Sequence, residues 1–178
     1  MSVRIHPKHA MTGRDPERLA SMVIEALQGA GVRGVLATGW GGIKIKTLPQ
    51  SITAVDQVPH SWLFSRVRGV VHHGGAGTTA AALRAGKPSI VIPFFGDQPF
   101  WGDRVHTLNA GSAPIPLKRL TVDRLQAAIE EITTDQNMID DAEALGMRLR
   151  EEDGVENAIA TIESLAGVPN QALQRTSR

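Results

Sequence analysis

The chain of 178 residues has no cysteine and no tyrosine, and aromatic residues make up only 4% of it, as four phenylalanines and three tryptophans. Without cysteine there is no disulfide framework and no thiolate metal site, a composition compatible with a reducing compartment, so a cytoplasmic location is expected. Long apolar runs are also missing. Nothing approaches the roughly 18 to 20 consecutive apolar residues that a membrane-spanning helix needs, which argues against a transmembrane segment. Charge of one sign is not in excess, with Lys+Arg at 19 against Asp+Glu at 18 and a formal net charge of +1. A phosphate backbone calls for concentrated positive charge, so nucleic acid is not an expected partner. Residues 1–9 lack the apolar core of a secretory signal, and no export route is expected. What remains is ample for a core: 42% of residues are hydrophobic. One globular domain is expected over 1–166, followed by a polar, aperiodic tail over 167–178. No internal repeat, low-complexity segment or linker interrupts it.

Asp15-Pro16-Glu17 combines a capping side chain, a proline suited to the first helical position and an acid where the helix dipole favours one. Leu19, Met22, Val23, Ala26 and Leu27 then follow helical spacing up to Gly29 and Gly31. Val35-Leu36-Ala37-Thr38 reads as a buried strand entering the loop Gly39-Trp40-Gly41-Gly42, and Ile52-Thr53-Ala54-Val55 as another strand. Gly69-Val70-Val71-His72-His73 is an apolar run entering Gly74-Gly75-Ala76-Gly77, with helix formers over 78–85 and a stop at Gly86-Lys87-Pro88. Ser89-Ile90-Val91-Ile92-Pro93 is a further strand, and 94–101 its loop. Thr121 caps a helix carrying Val122, Leu125, Ile129 and Ile132. Ile139, Ala142, Leu145 and Leu149 mark a second helix, and Val155, Ile159 and Ile162 a third. Continuous apolar strands alternating with helices predict an α/β fold, a parallel sheet with helices on both faces.

The chemistry gathers beyond the strand ends. Glycines between a strand and a helix let backbone approach a ligand, and the helix start offers unpaired N–H groups to an anion. Thr78 and Thr79 can add hydroxyls, and His73 an imidazole N–H. The segment lacks the Gly-Lys-Ser/Thr of a Walker loop and the GxGxxG fingerprint, and a tight packing turn would explain its glycines equally well. Asp97-Gln98 pairs a carboxylate with an amide, a combination suited to neighbouring sugar hydroxyls; the plainer use of Asp97 is to cap the next helix. His72, His73 and His106 show no metal-ligand spacing, and neighbouring histidines on a strand face opposite ways, so no metal site is expected. Trp40, Trp62 and Trp101 read as core or loop anchors.

Four segments together carry a resemblance: Val58-Pro59-His60-Ser61-Trp62-Leu63-Phe64, Val71-His72-His73-Gly74-Gly75-Ala76-Gly77-Thr78-Thr79-Ala80-Ala81, Ala85-Gly86-Lys87-Pro88, and Pro93-Phe94-Phe95-Gly96-Asp97-Gln98-Pro99-Phe100-Trp101-Gly102. Over about 12–132 the chain resembles the C-terminal, donor-binding half of a GT-B UDP-sugar glycosyltransferase, with the sterol 3-beta-glucosyltransferases as the nearest subgroup. The resemblance implies a Rossmann-like domain and transfer of glucose from UDP-glucose to a lipid hydroxyl with inversion, without metal or cofactor. It implies that His73 contacts the diphosphate and stabilises the leaving group. Gly75, Ala76, Gly77 and Thr78 would cradle that diphosphate, Asp97 and Gln98 hold the glucose, and Val58 presents backbone to the uracil.

The same resemblance puts the acceptor contacts and the general-base histidine in an N-terminal half that this chain does not match, so the isolated chain is expected to be inactive. A stand-alone subunit docking on a separate acceptor-binding protein, or a truncated inactive fragment, are the alternatives. The expected partners are a UDP-sugar and a lipid or sterol acceptor, with peripheral membrane contact at most. The plant relatives' base-stacking Trp and ribose-binding Glu are absent near Val58 and Ala81. The family's Gly-Phe-Gly-Ser type turn is likewise replaced near the start, where Pro7 speaks against a regular central strand and His6 and His9 read as solvated.

Overall fold

The computed structural model describes residues 2–5, 16–37, 48–56 and 58–166. The cap Asp15, the loop carrying Trp40, the histidines His6 and His9, and the 167–178 tail lie outside the described residues.

Among the described residues five parallel strands form one sheet: β1 (Ser2–Ile5), β2 (Arg33–Ala37), β3 (Ile52–Val55), β4 (Gly69–His72) and β5 (Ser89–Val91). Their order is β3-β2-β1-β4-β5. The register runs Val3 to Gly34, Gly34 to Ile52, Val3 to Gly69 and Val70 to Ser89. The start of the chain therefore departs from expectation, because Ser2–Ile5 is the central strand. Its described pairs reach Ile5, and Pro7 lies outside the described residues.

Among the described residues the α-helices are α1 (Pro16–Gly29), α2 (His60–Phe64), α3 (Ala76–Arg84), α4 (Gln98–Thr107), α5 (Val122–Thr134), α6 (Gln136–Glu151) and α7 (Gly154–Leu165). Thr121 caps α5 as expected, its side chain accepting the N–H of Arg124. Helix α4 replaces part of the expected 94–101 loop: Pro99 fits its first turn, and Asp97 holds the cap position without a side-chain cap hydrogen bond.

Alternation along β4 sends consecutive valines to opposite faces, and each meets its own core. Val71 joins Val23 and Leu27 of α1 with Leu125, Ile129 and Ile132 of α5, while Val70 joins Leu63 and Phe64 of α2 and Ala82 of α3. The sheet is thus covered by α1 and α5 on one side and by α2 and α3 on the other, as a parallel sheet requires. Helix α6 packs on α3 and α5. Trp62 corrects an expectation: it is 54% exposed and not a core anchor. Its ring lies under the Arg66 guanidinium, 4.5 Å away, a cation–π contact on the surface.

Candidate functional site

The strand order creates a crevice. From β1 the chain builds outward through β2 and β3, then returns to build β4 and β5 on the other side. The helices that come after β1 and β4, α1 and α3, lie on opposite faces of the sheet, and the carboxyl ends of two such strands are the place where open α/β sheets bind ligands. The segment from His72 to Gly77 leaves β4 there.

His72 is buried at 2% exposure, and its Nδ1 accepts the Gly74 N–H at 3.0 Å, which leaves the ring proton of the neutral imidazole on Nε2. It braces the turn. Gly74 has φ of +89°, and a side chain there would meet Val91 Cγ1 at 2.7 Å and the Gln98 carbonyl at 2.9 Å. Gly75 caps α3 with no side-chain hydrogen bond, and the first helical bond runs from Thr79 N to its carbonyl, 2.9 Å. The N–H groups of Ala76, Gly77 and Thr78 precede that bond and point out of the helix. Ala76 and Gly77 are exposed, and a methyl on Gly77 would touch nothing. An open, positively polarised helix start is the result.

His73 is half-buried beside that opening. A Cβ on Gly75 would sit 2.5 Å from His73 Nε2, so the glycine makes room for the imidazole at the helix entrance. Thr78 is 8% exposed. Thr79 does not serve as a ligand hydroxyl: it is 1% exposed and its Oγ1 donates to the Gly75 carbonyl at 3.1 Å.

The second motif is brought against the first. Ile92 N donates to the His72 carbonyl at 2.8 Å, so the chain leaving β5 still tracks the end of β4. The close approach of Gly74 to the Gln98 backbone then sets the start of α4 against the glycine turn. Gln98 is 5% exposed, and its Oε1 accepts the N–H groups of Phe94 at 2.7 Å and Phe95 at 3.2 Å. Its carbonyl oxygen is committed to holding the turn, which leaves the amide NH₂ as the group with donors to offer. Asp97 is exposed at the cap position of α4, and its Oδ2 accepts the Trp101 indole N–H at 2.8 Å. The carboxylate is oriented by a neighbour one helical turn on, a pairing that the i to i+4 spacing of Asp97 and Trp101 would have signalled.

Val58 packs its half-buried side chain toward the α2–α3 core, as does Ala81. His106 lies apart on α4, with Nδ1 3.4 Å from the Gly111 carbonyl. Among the described residues no three His, Cys, Asp or Glu side chains gather where they could hold a metal ion.

A 3-2-1-4-5 parallel sheet with helices on both faces is the kind of fold that GT-B glycosyltransferases have, and the solved structures agree. The glycotransferase of kitacinnamycin superposes with a TM-score of 0.80 at 25% identity, over 92% of this chain and 42% of that one. Spinosyn rhamnosyltransferase SpnG, solved with thymidine diphosphate, does so at 0.80 and 22% identity, over 91% of this chain and 45% of its own. Residues 39–161 match the model of the Erythromycin biosynthesis protein CIII-like, C-terminal domain, and the chain belongs to that family of glycosyltransferase domains. Sterol 3-beta-glucosyltransferase UGT80A2 of Arabidopsis thaliana is 44% identical over 147 residues, which cover 82% of this chain and 23% of that protein. The chain thus spans under a quarter of that curated relative and about two-fifths of the solved enzymes.

Proposed function

We propose that this domain binds UDP-glucose and forms the donor half of an inverting glucosyltransferase acting on a sterol-type lipid hydroxyl. The observation that carries the reading is the contact of Gly74 with the Gln98 backbone, which sets an anion-binding helix start beside a sugar-suited carboxylate and amide. In this reading the N–H groups of Ala76, Gly77 and Thr78 and the His73 imidazole receive the diphosphate. Asp97 and the Gln98 amide receive glucose hydroxyls, and the Val58 backbone faces the uracil. The sterol-type acceptor rests on the similarity to the Arabidopsis enzyme.

The reaction is a single displacement. The acceptor oxygen forms a bond to the anomeric carbon as that carbon's bond to the diphosphate oxygen breaks, with the electron pair leaving on UDP. Negative charge grows on the departing diphosphate, and donors already aimed at it stabilise the transition state more than the ground state. One such preorganised donor is worth about 3 kcal/mol. Helix dipole, backbone N–H and imidazole supply that stabilisation without a metal or cofactor. The hydroxyl proton goes to a base outside the described residues, on the polypeptide that holds the acceptor. The isolated chain is therefore expected to bind donor and transfer nothing measurable, working in the cytoplasm with at most peripheral membrane contact. Val155, Ile159, Ile162 and Leu165 expose an apolar stripe on α7, which supports a further polypeptide packing on this domain.

Calorimetric titration tests the donor site. The wild-type chain is expected to bind UDP and UDP-glucose. His73→Ala should weaken both by roughly 10- to 100-fold, the worth of a hydrogen bond to a charged group. Asp97→Ala should weaken UDP-glucose alone by about tenfold or more. A folded wild-type chain that binds neither ligand would overturn the reading.

Gly77→Ala separates stability from binding. Alanine is the better helix former and meets no neighbour, so the melting temperature should rise by about 2 °C. The added methyl stands where a phosphate would approach the N–H groups, so UDP affinity should fall by about tenfold. Unchanged UDP affinity in the more stable variant would place the phosphate elsewhere.

A further inference from the structure

Three of the four phenylalanines and one of the three tryptophans fall within 94–101. Phe94 is half-buried and packs on the main core. Phe95 and Phe100 do the opposite, at 66% and 62% exposure on either side of Asp97. Neither hangs from a loose loop. The Gln98 Oε1 pins the Phe95 N–H, and the Phe100 ring meets the Trp101 ring edge-on at 5.2 Å while Trp101 holds Asp97. The bond that orients the sugar-suited carboxylate therefore also holds the Trp101 ring against Phe100, while Gln98 fixes the backbone from which Phe95 projects.

We propose that Phe95 and Phe100 are this domain's own share of the acceptor site, receiving the apolar ring body of the alcohol whose hydroxyl is glycosylated. The inference rests on the donor reading above and revises the expectation that acceptor contacts lie wholly in another half. A hydroxyl attacking a sugar held at Asp97 brings the body of its molecule alongside the groups flanking Asp97. Exposed aromatic faces suit a flat alicyclic skeleton, and covering them removes apolar surface from water. Charge argues against a bilayer surface as the occupant. From 88 to 102 the chain carries no Lys or Arg, and its one charge is Asp97, whereas docking on anionic lipid draws on clustered cations.

The experiment uses the full chain saturated with UDP and a diazirine-bearing sterol delivered in cyclodextrin, with the labelled site mapped by mass spectrometry. Label is expected on the tryptic peptide 85–104. The double variant Phe95→Ala, Phe100→Ala should cut that labelling roughly tenfold, the effect of losing the apolar area of two partly covered rings. Excess unlabelled sterol should compete, and sterol-free phosphatidylcholine vesicles should not. Both side chains are exposed, so the variant should fold and keep its UDP affinity within about twofold. Label elsewhere or none, equal labelling of the variant, or competition by the vesicles would each overturn the proposal. Failure of the donor reading would appear separately, as absent UDP binding before any sterol is added.

Discussion

Gly74→Ala is expected to remove detectable UDP binding, a loss above about 100-fold. A φ of +89° is costly for any residue with a Cβ, and here the Cβ would also press on Val91 and on the carbonyl of Gln98. The carbonyl belongs to backbone and cannot rotate away. The turn would have to withdraw from α4, taking with it the N–H that braces His72 and the entrance to α3. Strain and lost packing together should cost about 3 kcal/mol, lowering the melting temperature by roughly 6 to 12 °C. Circular dichroism would confirm a folded chain at low temperature, and titration would read the binding. A folded Gly74→Ala chain with wild-type UDP affinity would show that the contact between the two motifs is irrelevant to the donor.

Gly111→Ala should have a comparable effect on stability and little on binding. Gly111 bridges Ser89 beside β5, and a methyl there would overlap the Ser89 carbonyl oxygen and stand 2.7 Å from Val105 Cγ1. Ser89 and Val105 are both fully buried. The neighbouring chain is tied to the same strand, with Ser89 N donating to Ala110 and Ile115 N to Val91. Over-packing of this kind, against backbone, should cost about 3 kcal/mol and again lower the melting temperature by roughly 6 to 12 °C. Below the transition, UDP affinity should stay within about threefold of wild type, because residues 73–78 are untouched. A melting temperature within about 1 °C of wild type would sink the argument. The two glycine variants differ in what they lose: Gly74→Ala takes the ligand with it, and Gly111→Ala takes only the fold.

Much of this was legible from the chain alone. The stripe of Leu125, Ile129 and Ile132 announced α5, and each of the three is fully buried. Glycine and proline punctuation bounded α3, although the helix begins at Ala76, two residues before the expected start, because a glycine cap leaves its first turn free to form. The His73 and Asp97-Gln98 motifs stood out by residue type. Other features were hidden. The central place of β1 was one: Val3 and Ile5 alternate with Ser2 and Arg4 as strand residues do, but four residues do not show which strands flank them. The exposure of Trp62 went against the usual fate of a large aromatic, and the inward-turned Oε1 of Gln98 looked from sequence like a ligand group.

The division has one physical reason. Helices, strands and their ends follow from interactions within a few residues, namely periodic burial, backbone freedom and capping, and these are written locally. The sequence by itself therefore determined an α/β chain with a glycine-rich helix start and an Asp-Gln turn. Which strands pair, and which turns meet across them, depends on burying distant segments against one another, at a loop-closure cost that no local pattern records. Only the tertiary structure decided that β1 separates β2 from β4, that Gly74 rests on Gln98 more than twenty residues away, and that Phe95 and Phe100 face outward beside Asp97.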